Sequence, residues 1–324
     1  MRREWVIIAS QRMERTFLPP KDYCPLCPTR PGGFETEIPR RDFEIVVFEN
    51  RFPSLQPLPP EPAVESTALN LAKPACGLCE VVVYTPEHEG SLATLSLDRV
   101  KQLVRVWRER TQDLAARDEI KYILIFENRG AEVGVTLHHP HGQIYAFPYI
   151  PPVAQREICS AREYYTNHGR CLFCDLVGEE IKDSRRVVME NGSFIAFVPF
   201  AARYPYELHL YCKRHCSSLT ELTEEEMDRL AELLRNLVGC YDRLFNAPFP
   251  YIMVLHQELL KEGKGLGHLH FEFYPPLRDR GKLKYLAGCE QGAGTFINDS
   301  LPEEKAALLR ESYLAGEAEK NKRV

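Results

Sequence analysis

The chain has little of what would tie it to a membrane or to nucleic acid. Its N-terminal stretch, MRREWVIIASQRMERTF, carries only a short apolar run from Trp5 to Ala9 before charge resumes, too short for a signal core or a spanning helix. A cytoplasmic protein with no membrane partner is therefore expected. The formal net charge is -5, so no overall basic field draws in nucleic acid, and any anionic ligand must be met by local groups. The glycine-rich G-x-x-x-x-G-K-[ST] loop that cradles phosphates in many nucleotide enzymes is missing, which leaves phosphate chemistry to a positioned nucleophile and electrostatics. Apart from the charged EAEKNKRV at the end, no low-complexity segment is long enough to form a disordered tail. What remains is a globular composition, 44% hydrophobic and 27% charged over 324 residues, enough for one large domain or two ordinary ones.

Cysteine is present in an odd number, 11, and six of these fall in C-x-x-C pairs: Cys24/Cys27, Cys76/Cys79 and Cys171/Cys174. In an intracellular chain such pairs point to metal or redox chemistry rather than to a disulfide framework.

β-Branched and aromatic runs bounded by turn residues predict strands at 44–50, 80–86, 121–128 and 143–149, with a helix between the second and third, where Val100, Leu103, Val104 and Trp107 recur at helical spacing. The second half repeats the order. Strands are predicted at 194–200 and 207–213, a helix at 223–245 opened by the capping pair Thr223 and Glu226, then strands at 251–256 and 269–275. Polar residues follow suit, each half running C-x-x-C, lone His, helix, H-x-H. His88 precedes His139 by 51 residues and His215 precedes His268 by 53. This is the pattern of an internal duplication. The expected organisation is α+β, two antiparallel-sheet halves with helices packed on them, spanning 1–155 and 165–324. A proline-rich linker is placed near 150–170.

Two thiolates from a C-x-x-C with two imidazoles from distant strands make a closed tetrahedral set of the kind structural Zn2+ prefers. Cys24, Cys27, His88 and His139 form the first candidate set, and Cys171, Cys174, His215 and His268 the second. The second has a rival in Glu157, His256, His268 and His270. Cys76/Cys79 precedes a strand with no spare histidine nearby and reads as core and loop sulfur. In His139-Pro140-His141 the outer side chains of a strand share one face, so His139 can hold a metal while His141 stands beside it, one nitrogen fixed by a carbonyl and the other free as nucleophile or base. Gln143, two residues on, faces the same way and can donate to a phosphoryl oxygen. His138 has no assigned role.

At HHPHGQIY the chain resembles the histidine-triad superfamily, and the form H-P-H-G-Q-I resembles its galactose-1-phosphate uridylyltransferase branch. EWVIIASQRMER is similar to that family's opening segment, CPLC to its first zinc pair, VFENRFPSL to its nucleotide loop, CEVVVYTPEH to its third zinc ligand, FENRGAEVG to the segment before the active strand, and FVPFAARYPYELHLYCKRH with HLHFEFYPP to its second half. The resemblance implies a duplicated histidine-triad-like fold, a homodimer and a double displacement. In that reaction His141 takes UMP from UDP-glucose, releases glucose 1-phosphate, and passes UMP to galactose 1-phosphate. It further implies that Arg12 and Arg15 approach the phosphates, Asn50 and Phe52 the nucleoside, Asn128, Gly134 and Thr136 the phosphates and ribose, and Lys284 and Glu290, in KLKYLAGCE, the sugar. Arg51 stands where many relatives carry an acid. The second half lacks Gly-Gln after its H-x-H, so His270 is given no nucleophilic role. Cys171/Cys174 also resembles ADP-glucose phosphorylases, which keeps adenylyl transfer as the alternative. A nucleotide hydrolase or a non-catalytic zinc module are the remaining readings.

Overall fold

A computed structural model describes residues 4–14, 18–40, 42–261, 263 and 265–322. Among the described residues nine strands form one antiparallel sheet: β1 (Val46–Glu49), β2 (Leu78–Val83), β3 (Tyr122–Arg129), β4 (His141–Phe147), β5 (Val187–Glu190), β6 (Phe194–Phe197), β7 (Leu208–Cys212), β8 (Tyr251–His256) and β9 (His270–Tyr274), in the order β1-β2-β4-β3-β8-β9-β7-β6-β5. Read outward from the central β3–β8 pair, one side runs β3, β4, β2, β1 and the other β8, β9, β7, β6. That is the order a duplicated unit gives when its copies join edge to edge. Ile125 pairs with Leu255 and Asn128 with Ile252 across the join, so the ladder passes from one half to the other without an edge.

Helix α1 (Leu97–Ala115) is opened by Ser96, whose side chain accepts from the Arg99 amide, and α4 (Glu224–Leu244) by the Thr223/Glu226 capping box. Their apolar stripes, Val100, Leu103, Val104 and Trp107 on α1 and Met227, Leu230, Leu234 and Leu237 on α4, are buried against one face of the sheet. Helix α5 (Pro302–Asn321) packs over α4 and β5. The opposite face carries α2 (Pro152–His168) and α3 (Leu172–Asp183): Ala154 and Ile158 meet Leu55 and Cys79, while Ala161 and Phe173 meet Ile195 and Phe197. Residues 152–168, expected as linker, are therefore a helix. Pro152 suits a first helical turn, where its missing N–H costs nothing, and the prolines mark a start rather than a spacer. A small hairpin, β10 (Leu277–Asp279) with β11 (Lys282–Leu283), follows β9.

Trp107 shows how the halves share a core. It is fully buried and lies edge-on to Tyr84 at 6.4 Å and tilted against Phe271 at 6.2 Å. Tyr84 belongs to the first half and Phe271 to the second. Trp107→Ala should cost about 3–5 kcal/mol in urea unfolding followed by circular dichroism, as expected for emptying a large aromatic site. A loss under about 1 kcal/mol would mean the site collapses and does not tie the halves together.

Candidate active site and metal centres

His141 opens β4, hydrogen-bonded in register with Val83 on β2. Strand alternation sends Ile144 and Ala146 into the core, whereas His141, Gln143 and Tyr145 face a cavity of about 220 Å³. Asn50, Phe52, Asn128, Gly134 and Thr136 line the same cavity, together with Arg12 and Arg51. Gly134 has φ +79, a left-handed turn that glycine adopts without cost. Asn50 Oδ1 accepts from the Phe52 amide at 2.9 Å, which shapes the loop. Arg12 Nη1 donates to the Phe52 carbonyl at 3.1 Å, Ser54 Oγ at 2.9 Å and Tyr145 Oη at 3.2 Å. Its guanidinium thus sits in the cavity of its own chain. Arg51 is held by Glu37 at 2.9 Å.

His141 Nδ1 donates to the His139 carbonyl at 2.7 Å. A carbonyl can only accept, so the proton is on Nδ1 and the Nε2 lone pair is free. Burial holds the imidazolium pKa below its ordinary 6.5, although the carbonyl bond works the other way. A second cavity of about 590 Å³ meets the first at Asn128, Val135, Leu137 and His141, and runs between Gly90 and Ser91 on one side and Arg129, Asp242 and Arg243 on the other.

The structure does not bring every expected residue here. Arg15 lies outside the described residues. Lys284 and Glu290 line neither cavity; they pair with each other at 3.3 Å, and Glu290 also accepts from the Ala287 amide at 3.1 Å.

Cys24, Cys27, His88 and His139 offer ligand atoms that all lie within 4.8 Å of one another, and so do Cys171, Cys174, His215 and His268. The second-sphere bonds set the tautomers for a metal. His139 Nε2 donates to the Thr85 carbonyl at 2.8 Å and His268 Nε2 to the Cys212 carbonyl at 2.7 Å, leaving both Nδ1 atoms turned to the thiols. Burial and the neighbouring thiol push Cys27 and Cys174 each up to about 12. Without a cation these sulfurs stay protonated, so the donor sets suit a divalent soft or borderline ion that makes thiolates of them.

A third group also assembles, and it differs from the expected rival. His268 is turned to the cysteines, and the group is Glu157, His256, His270 and Glu272. The ring nitrogens of His256 and Nε2 of His270 are buried and face carboxylates: Glu157 and Glu272 oxygens lie 3.2 and 3.6 Å from His256, and a Glu272 oxygen lies 3.6 Å from His270. Glu272 is not among the residues expected from the sequence. The alternation 268, 270, 272 along β9 is the available signal. Tyr145 is missed in the same way, two residues beyond Gln143.

Fold and site together define a class, an α+β protein with one pinned imidazole in an open cavity beside Cys2His2 clusters. Comparison with known proteins makes the assignment. The family model described as galactose-1-phosphate uridyl transferase, N-terminal domain, matches residues 1–151 and its C-terminal domain residues 157–322. A galactose-1-phosphate uridylyltransferase of Thermotoga maritima is 43% identical over 95% of each chain. A solved uridylyltransferase superposes with TM-score 0.86 and 39% identity over 96% of each chain. An ADP-glucose phosphorylase of Arabidopsis thaliana, solved with ADP-glucose, gives TM-score 0.74 and 26% identity over 95% of each. The chain belongs to the galactose-1-phosphate uridylyltransferase family.

The protonation state of His141 can be checked without substrate. Diethyl pyrocarbonate attacks neutral imidazole, so the rate of His141 modification, read by peptide mass analysis, should fall on acidification with a midpoint below the ordinary 6.5, since burial depresses this group. A midpoint above 6.5 would contradict a half-buried ring held uncharged near neutral pH.

Proposed function

We propose that this chain transfers UMP from UDP-glucose to galactose 1-phosphate through a uridylyl group on His141. The supporting observation is the pinned ring, with Nδ1 bonded to the His139 carbonyl and Nε2 open to the cavity. Nε2 attacks the α-phosphorus. The new N–P bond forms as the P–O bond to the β-phosphate breaks, and glucose 1-phosphate leaves. The ring becomes cationic and keeps its Nδ1 proton, which the His139 carbonyl stabilises. A phosphate oxygen of galactose 1-phosphate then attacks the same phosphorus, the N–P bond breaks, and UDP-galactose leaves with neutral His141 restored. Gln143 donates to a non-bridging oxygen in both steps. Arg12, Arg15, Asn50, Phe52, Asn128, Gly134 and Thr136 are proposed to hold the nucleotide and its phosphates, and Lys284 and Glu290 the sugar.

Two zinc ions are proposed, one on Cys24, Cys27, His88 and His139 and one on Cys171, Cys174, His215 and His268. Both are structural, since closed four-ligand sets leave no position for substrate. The halves 1–155 and 165–324 are proposed as the repeating units. A homodimer is proposed as well. Lys284 and Glu290 stand apart from the cavities of their own chain, and Trp5, Val6, Ile8, Tyr285 and Ile297 are exposed apolar residues that a second copy would cover. A cytoplasmic location is proposed, in keeping with 11 cysteines that are all free; among the described residues no helix is long and apolar enough to cross a membrane.

His141→Gly should abolish transfer while leaving zinc content and circular dichroism unchanged, because His139 is the ligand. Added imidazole should restore release of glucose 1-phosphate by filling the space. Gln143→Ala should lose about 10²–10³ in rate, as for one transition-state donor removed. Wild-type labelling of His141→Gly by UDP-glucose would overturn the nucleophile, and labelling of the wild type by ADP-glucose in place of UDP-glucose would transfer the assignment to adenylyl chemistry.

Sedimentation tests the assembly. A dimer at assay concentration is expected, and a fully active monomer would contradict a sugar site completed by a second copy.

A further inference from the structure

Gly142, between His141 and Gln143, has an ordinary φ, so glycine is not required there by the backbone. What the position lacks is a Cβ. One placed on Gly142 would overlap the Tyr84 hydroxyl oxygen, lying also 3.2 Å from Tyr84 Cζ and 3.1 Å from the Phe126 carbonyl. The tyrosine ring thus runs across the back of β4, on the face opposite His141.

Tyr84 is fully buried, and its amide donates to the Pro140 carbonyl at 3.1 Å, which ties it to the H-P-H segment. Its hydroxyl donates to Glu127 Oε2 at 3.1 Å, and Tyr251 donates to Oε1 of the same carboxylate at 2.8 Å. Phe126 pairs with Gln143, so Glu127 is next along β3 and Asn128, on the cavity side, comes after it. Tyr251 comes from β8, in the other half of the chain. One buried carboxylate therefore holds the end of β2, β3 and β8 together directly behind the residue that carries the reactive ring.

We propose that Tyr84 and Glu127 are positioning residues for His141, and that residue 142 is glycine because the Tyr84 hydroxyl must cross it to reach Glu127. This rests on the reading of His141 as the uridylyl carrier. The bond from Tyr84 to Glu127 sets how β4 lies against β3 and so where the His141 ring stands relative to Asn128 and Gln143. A purely structural brace would stabilise the sheet junction without setting the rate at which the folded protein reacts.

The test is a double-mutant cycle of Gly142→Ala and Tyr84→Phe. Two quantities are measured on zinc-loaded protein: single-turnover labelling of His141 by UDP-glucose, resolved into maximal rate and half-saturation, and the urea midpoint. Gly142→Ala should lower the maximal rate by about 10²-fold, the scale set by misplacing a reacting group by roughly 1 Å, with half-saturation changed less than about 3-fold. Tyr84→Phe should lose about 3- to 10-fold in maximal rate, and the double variant should label at least about 10-fold faster than Gly142→Ala, because the overlapping oxygen is gone. A double variant no faster than Gly142→Ala would overturn the proposal. If Gly142→Ala fails to fold, Tyr84→Phe decides alone: a wild-type maximal rate at a lowered urea midpoint would make the network a structural brace only. An unlabelled wild type would sink the transferase reading instead, and the steric coupling would then stand or fall on whether Tyr84→Phe restores the urea midpoint lost in Gly142→Ala.

Discussion

The 2.7 Å bond from His141 Nδ1 to the His139 carbonyl is the constraint on which the site depends. It fixes tautomer and ring orientation together, while burial disfavours the charged form. A histidine free to rotate would present either nitrogen, and one exposed to water would be partly protonated near neutral pH. Here the backbone of the preceding turn holds the proton on one side, and burial opposes gaining a second. His139 can supply that carbonyl in a fixed place because its own ring is held between Thr85 and the Cys27 thiol. The Cys2His2 cluster and the His141 ring are thus two ends of one short segment.

The duplication gives a natural control. His270 repeats the geometry of His141, with Nδ1 donating to the His268 carbonyl at 2.7 Å. Its surroundings differ, since α2 and α3 cover that face of the second half and Glu157, His256 and Glu272 crowd the ring. The same backbone device faces an open cavity in one half and an enclosed His/Glu cluster in the other. What separates them is the residue two positions on, Gln143 against Glu272. A neutral amide can donate to an incoming phosphate, whereas a carboxylate would repel it.

Much of this is legible in the sequence because it rests on local periodicity. Strand alternation around His141 and Gln143, the helical stripe at Val100 to Trp107 and the Thr223/Glu226 box are short-range signals, and the structure has each where expected. Both Cys2His2 sets are readable from matching order in the two halves. The rest depends on groups far apart in the chain. Helix α2 reads as linker because Pro151 and Pro152 signal a boundary without indicating which element begins there. Glu272 joins Glu157 and His256 only once β8 and β9 lie side by side. The hydroxyl of Tyr84 and the missing Cβ of Gly142 meet through strand pairing that no local pattern reveals.

The most direct measurement is to incubate the protein with UDP-glucose alone, quench it in base, where phosphoramidates survive, and map the adduct by peptide mass analysis. A single uridylyl group on the peptide bearing His141, lost on mild acid treatment and discharged by galactose 1-phosphate to give UDP-galactose, is the predicted result. An adduct on the peptide bearing His270, or turnover with no adduct on His141, would contradict the assignment of His141 as the uridylyl carrier.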